Sequence, residues 1–140
     1  MVPADGRDPN CVFCAIVEGR APAYKVYEDE ATVAFLDLFP FTRGHLLVVP
    51  KRHAPRLTDY APEDQAALVR TLSVMCRRAE RLTADYNVAM NAGARAGQIV
   101  FHLHFHVIPR YGEANPFHPT QRHRIREDEA GQVVAELSRP

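Results

Sequence analysis

The chain has 140 residues, 46% of them hydrophobic and 24% charged, with 17 Lys plus Arg against 17 Asp plus Glu. That length and composition suit one globular domain, and the zero net charge gives no field that would recruit nucleic acid or an anionic membrane surface. No apolar run nears the roughly 20 residues that cross a bilayer, and the polar start "MVPADGRDPN" lacks a basic stretch followed by an apolar one, so a cytoplasmic protein is expected.

Residues 1–10 are expected to be a disordered extension. In "CVFCAIVEG", Val12, Phe13, Ile16 and Val17 recur at helical spacing before Gly19 and Pro22, which predicts a short helix carrying two thiols near its start. "AYKVYEDEATVAFLD" predicts a hairpin: Val26, Val33 and Phe35 are β-formers on either side of a polar turn at Glu28, Asp29 and Glu30. After the loop "FPFTRG", the run "HLLVVP" is apolar at successive positions, as in a strand buried on both faces.

From Pro62 the period changes. Leu68, Leu72, Met75, Ala79 and Leu82 alternate by fours and threes opposite Arg70, Ser73, Arg77 and Arg81, giving an amphipathic helix of about five or six turns. Pro62 is tolerated in a first turn, where Glu63 and Asp64 also complement the helix dipole; Cys76, on this helix, is read as a core thiol. "YNVAMNAG" then predicts a short strand, "GARAGQ" a glycine loop, and "IVFHLHFHVIP" the strongest strand of the chain. A weak helix is expected in "EDEAGQVVAELS", despite Gly131. One long helix among antiparallel strands makes the fold class α+β.

Three of the seven histidines, His102, His104 and His106, alternate with Leu103, Phe105 and Val107. In a regular strand His102 and His106 lie roughly 13 Å apart at Cα, too far for three imidazoles to share one ion at about 2.0 Å. The plain alternative is a polar face on an edge strand. Three cysteines do not make a disulfide framework, but the pair in "CVFC" together with two distant imidazoles supplies the donors of a closed tetrahedral zinc site. If the "HLLVVP" strand runs antiparallel to the histidine strand, His53 of "PKRH" falls beside His102 and His45 beside His106. The alternative for the thiols is service as small apolar core groups.

A polar ring then surrounds His104. His45 opens a strand after Gly44, Asp37 and Asn91 close strands, and Gln98 leaves the glycine loop, all at strand ends where rigid scaffolds present ligand-binding groups. A neutral imidazole in such company suits attack on phosphorus. The chain has no P-loop and no serine nucleophile elbow.

"GQIVFHLHFHVIPR" resembles the signature of the histidine triad (HIT) nucleotide hydrolases and transferases, and the similarity extends through "KVYEDE", "VAFLDLFPFTRGHLLVVPKRH" and "NAG" to cover about Cys11 to Arg110. The resemblance implies a HIT domain over 11–112 with a five-stranded antiparallel sheet, and a homodimer; the tail over 113–140, with its possible short helix, matches no element of the family. It implies a purine nucleotide substrate, with His104 attacking the α-phosphate of a nucleoside phosphoramidate or dinucleotide to give a nucleotidyl-histidine. His106, His45 and Gln98 would line the phosphate or leaving group, Asn91 would lie near the phosphate or ribose, and Asp37 would hold the ribose hydroxyls. Phe13, Ile16, Phe35 and Leu38 would enclose the base. Cys11, Cys14, His53 and His102 match the structural zinc ligands of the zinc-bearing bacterial branch.

Ile99 departs from the pattern, standing where many relatives carry Ser or Thr, and so leaves leaving-group preference open. Arg122, Arg124 and Arg126 of the tail are read as solvated charge, with tuning of specificity as the alternative. Cleavage of diadenosine polyphosphates, a metallohydrolase using His102 and His104, and a non-catalytic zinc-stabilised nucleotide-binding protein are the competing functions.

Overall fold

The computed structural model describes residues 6–112 and 122–140. Helix α1 (Val12–Val17) leads into the hairpin of β1 (Lys25–Glu28) and β2 (Thr32–Leu36), followed by β3 (Leu46–Pro50) and the long helix α2 (Pro62–Ala79). Strands β4 (Tyr86–Ala89) and β5 (Phe105–Pro109) complete an antiparallel sheet ordered β1-β2-β3-β5-β4, and α3 (Glu127–Leu137) follows. The α+β class and five-stranded antiparallel sheet are as expected. The hairpin turn closes through the Asp29 carboxylate, which accepts the amides of Ala31 and Thr32 at 2.9 and 2.8 Å.

Every residue of β2 and β3 is buried, and strand alternation divides them between two cores. Ala34, Leu36, Leu46 and Val48 join Val107 against Leu68, Met75 and Ala79 of α2. Val33, Phe35, Leu47 and Val49 pack with Phe13, Cys14 and Ile16 of α1. Each large side chain so buried contributes on the order of 2 kcal/mol. The sheet is thus a partition, with the long helix on one side and the cysteine turn on the other.

The C-terminal helix is better anchored than its pattern suggests. Ala130, Val133 and Leu137 are fully buried in the α2-side core, and Arg78 of α2 donates to the carbonyls of Val26 and Leu137 at 3.3 and 3.2 Å. Leu38, expected at the base pocket, packs against this same core.

Two expectations need correction. Residues 6–10 are folded: the Gly6 carbonyl accepts the His53 amide, and the Asp8 amide donates to Cys14 Sγ at 3.3 Å; residues 1–5 lie outside the described residues. The histidine strand is also shorter than its alternation predicts, starting only at Phe105. Its pairing with β3 ends at Val48↔Phe105. Beyond that point the Leu103 amide donates to Ala54 O at 2.8 Å, and two imidazoles add donors to backbone, His102 Nε2 to Pro50 O and His104 Nδ1 to His102 O, both at 2.7 Å.

Gly44 brings the chain into β3 with φ +88°, and a Cβ there would run into Leu82. The residue before His45 is therefore restricted to glycine by both backbone and space.

Candidate active site and metal centre

The α1 turn brings both cysteines to one point, because the Cys14 amide donates to Cys11 Sγ at the start of the helix. Opposite them, Cys11 Sγ lies 3.4 Å and Cys14 Sγ 3.6 Å from His102 Nδ1; Cys14 Sγ is 3.5 Å and His102 Nδ1 3.2 Å from His53 Nδ1. A tetrahedral zinc with ordinary Zn–S and Zn–N lengths has S···N edges of about 3.6 Å and N···N edges of about 3.3 Å. The donors already stand at that spacing, with Pro50 O fixing His102 through Nε2 and Asp8 Oδ2 standing 3.7 Å from His53 Nε2. Burial, with Cys11 adding to it, pushes the Cys14 thiol up to about 11, so two thiolates here call for a cation. The four residues fit zinc, which would tie the N-terminal turn to the sheet.

At the other end of β3 the hydrogen bonds define tautomers. The Phe41 amide donates to His45 Nδ1 at 3.0 Å, so the neutral ring carries its proton on Nε2 and donates to His106 Nδ1 at 2.9 Å. The proton of His106 is thereby assigned to Nε2. Burial pushes His45 down to about 2 and His106 to about 4, helped in each case by neighbouring histidines and Arg122, and both rings are neutral near pH 7. His104 Nδ1 faces the carbonyl of His102, which can only accept; Nδ1 is the protonated nitrogen and Nε2 keeps its lone pair. Burial lowers the His104 pKa, against the opposing influence of that carbonyl and of Asp37. The rings of His104 and His106 are 5.0 Å apart.

Asp37, His45 and His106 also present three potential metal donors. The His45–His106 hydrogen bond accounts for their proximity, and the Arg122 guanidinium, 3.7 Å from Asp37 Oδ2, opposes a second cation. Among the described residues no metal-ligand group includes His104, which disfavours the metallohydrolase alternative.

The remaining residues divide. Phe13 lies edge-on to Phe35 and to His104, at 5.4 and 5.1 Å between ring centres, with Ile16 in the same cluster. Asp37 approaches His45 Nε2 to 3.6 Å and accepts the Phe39 amide at 2.8 Å; burial raises its pKa, against the pull of that amide and of Arg122. Gln98 is already engaged with backbone: Nε2 donates to Pro55 O and Val100 O, and Oε1 accepts from Gly93 N. Asn91 donates to Gly97 O in the same loop. Ile99 points outward, 84% exposed. Phe41 and Arg122 were not placed in the site by sequence reasoning: Phe41 acts through a backbone amide, which leaves no residue-type signal, and Arg122 is distant along the chain.

Residues 18–113 match the family model of the HIT domain. The chain is 50% identical over 101 residues to an uncharacterized HIT-like protein of Mycobacterium tuberculosis, covering 71% of this chain and 70% of that one. A protein of Arabidopsis thaliana named adenylylsulfatase HINT3 is 39% identical over 103 residues, covering 72% of this chain and 52% of its own. A solved structure, the zinc-bound histidine triad family protein from Mycobacterium smegmatis, has a TM-score of 0.78 at 44% identity, covering 92% of this chain and 94% of that chain. The match over the sheet and its histidines, together with these relatives, shows that the chain belongs to the HIT domain family.

Proposed function

We propose that the protein is a nucleotide hydrolase that cleaves nucleoside 5′-monophosphate amides or esters through a nucleotidyl intermediate on His104. The observation that carries this reading is the His104 Nδ1 to His102 O hydrogen bond, which leaves Nε2 as a lone pair beside the neutral His106. Attack by Nε2 on the α-phosphorus forms an N–P bond as the P–N or P–O bond to the leaving group breaks; the leaving group departs with that electron pair and takes a proton from solvent. The ring then carries positive charge, which the His102 carbonyl stabilises through the Nδ1 proton. His106 Nε2–H, held in its tautomer by His45, donates to a non-bridging oxygen. Water then attacks phosphorus and gives up a proton to solvent, while the N–P bond breaks, its electron pair returns to Nε2 and the nucleoside monophosphate is released.

In this reading Asp37 accepts from the ribose hydroxyls, and Phe13, Ile16 and Phe35 form the apolar wall for a purine. Gln98 serves the phosphate side by holding the Gly93–Gln98 loop, beside Asn91. Zinc, held by Cys11, Cys14, His53 and His102, would supply stability rather than chemistry. A homodimer is supported by the position of β4 at the sheet edge and by exposed Val88 and Val69 on β4 and α2.

The test is single turnover of adenosine 5′-phosphoramidate, diadenosine tetraphosphate and adenosine 5′-phosphosulfate, the last because of the relative named an adenylylsulfatase. Mass spectrometry should find one nucleotidyl group on the peptide bearing His104. Absence of that adduct with every substrate, and turnover no faster than in His104→Ala, would favour a binding protein.

A further inference from the structure

We propose that Arg122 is a positioning residue of the candidate active site, clamping the loop at 37–41 so that its backbone sets the tautomer of His45; its consequence for turnover rests on the function proposed above. Arg122 Nε donates to Phe39 O at 2.8 Å and Nη2 donates to the same oxygen, which has no other donor among the described residues. The guanidinium carbon lies 4.1 Å from the centre of the Phe41 ring, close enough for an attractive cation–π contact. That ring stacks on His45, 5.3 Å away at an interplanar angle of 23°, while the Phe41 amide bonds to His45 Nδ1.

The clamp is built from one rigid fork. Arg122 grips the loop by a carbonyl and by the ring of the residue whose N–H defines the His45 proton. The Ile125 amide, bonded to Leu38 O at 2.7 Å, docks the same C-terminal segment on the loop independently, and Ile125 is buried. Losing the Arg122 side chain therefore leaves the segment attached but frees the Phe41 amide to move. His45 can then carry its proton on Nδ1, which would set two lone pairs against each other across the 2.9 Å His45–His106 contact. The His106 ring would lose its fixed donor. The sequence suggests solvated charge for Arg122, with tuning of specificity as the alternative; in the structure its side chain holds the loop whose amide faces His45.

Arg122→Ala and Arg122→Lys, in zinc-loaded protein, test the clamp by 15N NMR of the imidazole nitrogens alongside steady-state kinetics. The expected result for both variants is mixed His45 and His106 tautomers, with unchanged melting temperature. kcat should fall roughly tenfold, as expected for a misplaced group, with KM within about twofold. Millimolar guanidinium should restore part of kcat in Arg122→Ala. A wild-type 15N pattern in Arg122→Ala overturns the clamp, and wild-type behaviour of Arg122→Lys overturns it in favour of a simple charge effect on Asp37. If the wild-type protein turns over no nucleotide, the proposed hydrolase fails, while the 15N comparison still decides the clamp.

Discussion

The main-chain carbonyl of His102 accepts the Nδ1 proton of His104 at 2.7 Å, while the His102 ring offers its own Nδ1 to the metal donor cluster. One residue thus belongs to the metal centre by its side chain and to the proposed nucleophile by its backbone.

The nucleophile assignment predicts that His104→Ala folds and loads zinc but loses the chemical step by at least about a thousandfold. Quenched-flow single turnover on adenosine 5′-phosphoramidate checks this; a variant retaining a tenth of wild-type rate would remove His104 from that role.

Cys14 is fully buried and stands within 3.6 Å of both donor histidines. Cys14→Ala should bind little zinc by elemental analysis and lose stability on the order of 3 kcal/mol or more. Because His102 is shared, the rate should fall too, even though no residue of the phosphate side has changed. Full zinc content in the variant would sink the ligand assignment.

Protonation should destabilise the fold below neutrality. His45 and His106 are held down to about 2 and about 4 in the folded chain, whereas unfolded histidines titrate near 6.5. Between those values the unfolded chain binds more protons, so stability is complete above about pH 6.5 and falls with acid, by up to ~1.4 kcal/mol per pH unit for each ring. Chemical denaturation across that range should show a shallower slope in His106→Asn; an identical slope would contradict a neutral His106.

Two glycines should respond oppositely to alanine. At Gly131, on α3, a Cβ meets nothing within 4 Å, so Gly131→Ala should stabilise by about 0.5–1 kcal/mol. At Gly44 the positive φ and Leu82 should make Gly44→Ala cost about 1–3 kcal/mol and disturb His45. Thermal melts of the two variants measure both signs.

The division of the histidines was legible because it depends on strand register and residue type alone: His45 and His53 flank β3, and an antiparallel neighbour brings them to His106 and His102. The length of the histidine strand was not. Alternation of Leu103 and Phe105 with histidines continues where the hydrogen-bond ladder has stopped, and apolar periodicity carries no record of which backbone groups bind imidazoles. Gly131 weakened the pattern of α3, whose stability comes from Ala130, Val133 and Leu137 in the core rather than from propensity. Leu38 packs with Leu36 on the α2 side rather than with Phe35, as the two-residue alternation of β2 carried one step further would place it.

Strand β3 also works as a gauge bar. Its five residues separate the two histidine groups, and its parity decides which core each residue enters. Inserting or deleting a single residue within β3 would send the strand residues on one side of the change to the opposite face and pull one histidine group out of alignment with the other. Natural length variation should therefore collect in the surface connections of this domain and avoid this strand, whatever its individual apolar residues become.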